Sequence, residues 1–177
     1  MQEELTLPFN PGFLIEPSYA LLLGEAQIIY SRFESTIVDI IGFHKKNYRT
    51  DYYCKEILMP NNLLSDLKTI GKPEDKEELL KIREGFKKAI ELRNAIDHAV
   101  PCGGPDGYDV LHFPHGFELR GGRKPKIPNS FRGTVFDYGR LLAEAKRMAS
   151  SYREASDFFY SLRYRTAEGE TFPGDPC

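Results

Sequence analysis

The stretch Glu91-Leu92-Arg93-Asn94-Ala95-Ile96-Asp97-His98 carries the side chains that phosphate chemistry needs. An arginine fork donates paired hydrogen bonds to two oxygens of one phosphate, and its guanidinium stays charged at any ordinary pH. An imidazole, with a free pKa of about 6.5, takes or gives a proton near neutrality. RNA supplies its own 2′-hydroxyl as nucleophile. Cleavage without a metal then requires a base for that proton, an acid for the leaving 5′-oxygen, and positive charge where the transition state turns negative. Arg93, Asn94 and His98 are the side chains of this stretch with such capacities.

The spacing places these groups on a helix and also sets an obstacle. At about 100° per residue, Ile82, Phe86, Ala89, Arg93, Ile96 and Val100 fall within one arc, with Arg93 near its centre. A charge on a buried face is costly without a partner, so a side chain, a subunit or a ligand is expected opposite it. Arg93 and His98 are turned about 140° from each other, whereas Asn94 and His98 share a face. A long arginine side chain, or a distorted last turn before Pro101, can bring the three together. A purely structural reading also exists. Arg93 and Asp97 stand at a spacing that supports a helix, and His98 complements the dipole at a helix end. An acid such as Glu25, Glu34 or Asp39 is then the expected core partner of Arg93.

The elements that must hold this stretch are readable in outline. Residues 1–17, with Pro8, Pro11, Gly12 and Pro17, form an extended lead-in. Ser18 can cap a first helix running to about Phe43. Leu22, Ala26, Ile29, Phe33, Ile37 and Ile40 line one face of it, widened by Leu23, Tyr30 and Ile41. A shorter helix is expected over residues 62–70, ended by Gly71. Pro73 opens a third helix whose first turn is acidic, with Glu74, Asp75, Glu77 and Glu78. It runs to His98 or Ala99, because Pro101 disfavours helix at Val100.

Residues 102–107 read as a loop, and residues 108–113 and 117–119 as a hairpin around Pro114-His115-Gly116. Thr134 and Asp137 suggest a capped start for the last helix. Its buried face is expected to carry Tyr138, Leu142, Ala145, Met148, Tyr152, Ala155, Phe159 and Leu162. Residues 166–177 are expected to be disordered. The fold class predicted is mainly α: a four-helix up-and-down bundle with a small β-hairpin insertion before the last helix.

Arg93, Asn94 and His98, at the end of a third helix in a small helical domain, resemble the motif of the HEPN (higher eukaryotes and prokaryotes nucleotide-binding) family. The resemblance covers roughly residues 18–165, and it implies that His98 is the acid or base, Arg93 the phosphate clamp and Asn94 a polar positioning residue. It implies a four-helix bundle and a metal-independent endoribonuclease, a toxin-like hydrolase of stress response or phage defence. It also implies a homodimer in which two motifs meet in a composite cleft, with RNA as substrate and an antitoxin or regulatory protein as a possible partner. Family members paired with nucleotidyltransferase antitoxins commonly carry a tyrosine two residues after the histidine; here that position is Val100. The resemblance is therefore to the family at large. Some of its members are non-catalytic modules for nucleotide or RNA binding or for protein assembly, and that alternative stays open.

Composition narrows the rest. A chain of 177 residues with 41% hydrophobic and 28% charged residues suits one globular domain. A net charge of −2 gives no global attraction to nucleic acid, so RNA contact requires a local patch. Arg120, Arg123, Lys124, Lys126 and Arg132 supply one, without an acid among them and with Tyr108, Phe113, Phe117 and Phe131 nearby. The alternative is a solvated loop. His112, His115 and Glu118 are interrupted by Pro114 and Gly116 and match no strong zinc spacing, so neither metal nor cofactor is expected. His44, with Lys45 and Lys46, reads as a polar helix end. Three widely spaced cysteines, Cys54, Cys102 and Cys177, suggest reduced thiols and a cytoplasmic protein. Charges at Glu25, Arg32, Glu34 and Asp39 exclude a membrane span within residues 19–43.

Overall fold

A computed structural model describes residues 17–54, 60–97, 100–103, 109–114 and 133–172. The long apolar repeat at the start becomes helix α1, Pro17–His44. It begins at Pro17, whose fixed φ suits a first helical position, so Ser18 lies inside the helix rather than capping it. Tyr19, Leu22, Ala26, Tyr30, Phe33, Ile37, Ile40 and Ile41 recur every three or four residues and are all buried. So wide a stripe can cover two neighbours. Those neighbours are α4, Lys76–Asp97, and α5, Tyr138–Ala167, which also pack on each other.

Aromatic contacts form the α1–α4 seam. Phe33 meets Phe86 edge to face at 5.2 Å, and Tyr30 stacks on Phe86 at 6.1 Å. Leu141, Phe158 and Leu162 fill the α5 side. Ala145, Met148, Ala155 and Leu162 are buried as expected, and the face departs from the expected one at three positions. Leu141 and Phe158 take the positions assigned to Leu142 and Phe159, which are only partly buried, and Tyr138 is exposed. Asp137 caps α5, accepting from the Arg140 amide at 2.7 Å. Thr134 belongs instead to a strand.

Two short helices flank this core. The first, α2 (Tyr48–Cys54), buries no residue fully, which is why no apolar pattern announces it. Asn47, at φ 61°, makes the turn between α1 and α2, a conformation that asparagine tolerates better than most residues. The second, α3 (Pro60–Leu67), buries Leu63 and Leu67 and stops three residues short of the expected end. Gly71, at φ 86°, then reverses the chain into a single 3₁₀ turn, Pro73–Asp75, ahead of α4.

Three short strands lie between α4 and α5: β1 (Val100–Gly103), β2 (Asp109–Pro114) and β3 (Gly133–Phe136). They form one antiparallel sheet in the order β1-β2-β3, with Val100 opposite His112 and Leu111 opposite Phe136. The hairpin expected from residues 108–113 and 117–119 is not what is built. The first of its strands is present, but it pairs with β1 and β3, and residues 117–119 lie outside the described residues. Alternation along a strand shows its two faces and not its partner. Cys102 and Gly103 are thus strand rather than loop, and the strand starts at Val100, just past the expected helix end. Pro101 sits on an edge strand, where a missing donor is tolerated. Residues 166–172 are packed rather than loose: α5 continues to Ala167, and Phe172 folds back onto Phe43 and His44.

Helices α4 and α5 approach closely at Gly85. A Cβ added there would fall 2.6 Å from both the Cβ and the Oγ of Ser151. Ordinary helix propensity favours alanine over glycine by about 1 kcal/mol, whereas overpacking costs about 1–3 kcal/mol. Gly85→Ala is therefore expected to lower the melting temperature, and Ser151→Gly to recover part of the loss in the double variant.

Candidate functional site

Arg93 reaches Tyr30 of α1 from the edge of the helix pair. Its guanidinium carbon lies 5.2 Å from the centre of the Tyr30 ring. Nη1 donates to Asn94 Oδ1 at 3.0 Å, and Nε lies 3.3 Å from Asp97 Oδ2. The other Asp97 oxygen accepts from Gln27 Nε2 at 2.7 Å, linking α4 back to α1. Side chains of Arg93 and Asp97 remain 31% and 37% exposed. Arg93 therefore sits at the lateral edge of the core, at the same level of α4 as the buried Leu92 and Ala95.

This arrangement corrects the expected core partner. Glu34 accepts from the Tyr52 hydroxyl at 2.7 Å, and Asp39 pairs with Arg49 at 2.7 Å. Glu25 is exposed. The acid at Arg93 is Asp97, from the same helix, in a partly solvated pair of the kind worth about 0.3–0.5 kcal/mol. Such a pair holds the guanidinium in place without removing it from solvent.

Tyr30 is the residue that sequence reasoning undervalued. Its burial, reinforced by Glu34, pushes the phenol well above its ordinary range, against the opposing charge of Arg93. The ring stays neutral and acts as a platform for the cation, not as an acid or base. Gln27 is a second omission. Nothing in its surroundings along the chain signals a bond to a residue 70 positions away.

Of the expected site, Arg93 and Asn94 are brought together; His98 lies outside the described residues. So do Arg120, Arg123, Lys124, Lys126 and Arg132, together with His115 and Glu118. Among the described residues, no helix is long and apolar enough to cross a membrane, and no three His, Cys, Asp or Glu side chains gather as a metal site. No family model, characterised protein or solved structure matches the chain.

A second polar cluster lies where α1 and α5 end. Asp75 is 6% exposed and accepts from Arg165 Nη2 at 3.1 Å and from the Lys72 amide at 3.3 Å. Lys72 and Arg165 flank Glu170, and both cations lie over the Phe172 ring, at 5.1 and 5.5 Å. His44 stands edge-on to Phe172 at 5.4 Å, with Nε2 buried and without a hydrogen-bond partner among the described residues. It is thus part of a packed joint rather than a solvated helix end.

Burial lowers the His44 pKa below 6.5; Asp75 opposes the shift, while Arg165, Lys72 and Lys76 add to it. Below about pH 6.5 the unfolded chain binds this proton before the folded one does, so stability falls with pH until the lowered folded value is passed. Thermal melts from about pH 7.5 to 5.5 are expected to show a smaller fall for His44→Gln than for wild type. An identical fall in both would remove His44 from the account.

Proposed function

We propose that the chain is a metal-independent endoribonuclease of the HEPN type, acting as a cytoplasmic homodimer in stress response or phage defence. In this reading the helices form a four-helix bundle of that family, with the strand segment as its insertion before the last helix. The observation that supports it is the guanidinium of Arg93. It is held over Tyr30 at the end of α4, with Asn94 beside it, and is still open to solvent. A planar cation so held is suited to grip a phosphate. His98, one residue beyond the last described turn of α4, is the proton carrier. The 2′-hydroxyl attacks phosphorus, the 5′-oxygen leaves with a proton, and a 2′,3′-cyclic phosphate results. Arg120, Arg123, Lys124, Lys126 and Arg132 guide the RNA strand, and an antitoxin or regulatory protein restrains the activity.

One observation favours the alternative, a non-catalytic module that binds nucleotide or RNA or assembles with a partner. Asp97 occupies one edge of the Arg93 fork and competes with an incoming phosphate. The two readings part in a single assay. Total cellular RNA is incubated in EDTA with purified wild type or His98→Ala. Cleavage by wild type alone, leaving 2′,3′-cyclic phosphate ends, is the expected result. Intact RNA with both proteins, each folded, points to the module instead.

A further inference from the structure

A groove of about 520 Å³ lies toward the other end of α1, between α1, α2 and α5. Its position along α1 is about 13 Å beyond Tyr30, so it is separate from the Arg93 cluster and independent of the ribonuclease reading. Phe43 and Phe159 form an apolar wall, meeting edge to face at 5.6 Å. Arg49 reaches in from α2 and Arg163 from α5, with one carboxylate, Asp39, between them.

The charges do not cancel. Arg49 Nε is spent on Asp39 Oδ1 at 2.7 Å, which leaves its outer edge toward the groove. Arg49 can lie across α1 there because position 42 is glycine; a Cβ would come within 3.3 Å of the Arg49 side chain. Arg163 acts on Asp39 only at a distance. Among the described residues no carboxylate lies within ion-pair reach of it, and its guanidinium stands 6.0 Å over the Phe159 ring. Burial raises the Asp39 carboxyl above its usual range despite both arginines, so the acid is held at some cost. One cation remains over, on an aromatic wall, in a space of ligand size.

We propose that this groove binds a phosphomonoester of a planar apolar group. The Arg163 fork and the remaining edge of Arg49, on two helices, match three phosphate oxygens better than the two of a carboxylate. The partly exposed Phe159 receives the planar body, with the buried Phe43 behind it. The ligand head engages Arg163 and the outer edge of Arg49, and Asp39 sets the position of Arg49 at the expense of some affinity.

Titration of the full chain with phenyl phosphate, followed by calorimetry or NMR shifts, tests the assignment. Saturable binding at millimolar concentration is expected, weaker for inorganic phosphate and for benzoate. Arg163→Gln, at an exposed position, is expected to keep the melting temperature and weaken phenyl phosphate about tenfold, the scale of one lost charge-assisted contact. Asp39→Asn is expected to tighten binding, a change that mere loss of structure would not produce. The proposal is overturned by any of three results: no saturation, Arg163→Gln without effect, or inorganic phosphate or benzoate binding as tightly as phenyl phosphate.

Discussion

Tyr30 belongs to the core and to the candidate site at once. One face of its ring stacks on Phe86, which in turn meets Phe33, and Arg93 lies over the ring at 5.2 Å. The position of the guanidinium is therefore inherited from the packing of α1 against α4. A neutral ring suits this role, since a phenolate beside Asp97 and Glu34 would add a third negative charge. Gln27, one turn earlier on α1, fixes Asp97 from the same helix and so completes the frame around Arg93. Removing the seam would displace the site; removing Arg93 leaves the seam with its apolar contacts.

The long and short elements are held by different forces. Helices α1, α4 and α5 associate through buried aromatic and aliphatic side chains, whose burial contributes about 25 cal/mol per Å². Helix α2 buries no residue fully; Tyr48 and Tyr52 pack against the core from outside, and polar contacts fix them there. Tyr48 donates to Asp66, Tyr52 to Glu34, and Arg49 pairs with Asp39. The segment after α5 is held by Phe172 together with Glu170, around the buried Asp75–Arg165 pair. Losing Arg165 would strand the buried Asp75 charge, whereas the more exposed Arg49–Asp39 and Lys72–Glu170 pairs contribute little on their own.

What the sequence made legible follows the range of each interaction. The three long helices were readable because their apolar residues recur at the helical period, and Pro73 and Asp137 mark their starts. Helix α2 was not, since its contacts are hydroxyl to carboxylate across eighteen residues. On α5 the expected Ala145, Met148, Ala155 and Leu162 are buried, but within the adjacent apolar pairs Leu141-Leu142 and Phe158-Phe159 two overlapping arcs fit equally well, and the buried member is the other one. Asp109–Pro114 is recognisable as a strand, but one of its partners, β1, precedes it and holds a proline, and the other, β3, is nearly twenty residues further on. At the site, the helical arc correctly turned Arg93 toward α1. It could not show that the Arg93 head stays at the edge of the core and partly in solvent, which makes Asp97 rather than a buried acid its counter-ion.

The central claim is that Arg93 is positioned by the fold yet not needed to maintain it. Arg93→Ala separates the two roles when thermal unfolding and RNA cleavage in EDTA are measured on the same preparation. The account predicts a melting temperature close to that of wild type, because the lost pair is worth only about 0.3–0.5 kcal/mol, together with loss of cleavage. A collapse of the folded state, or cleavage that survives the substitution, would contradict it.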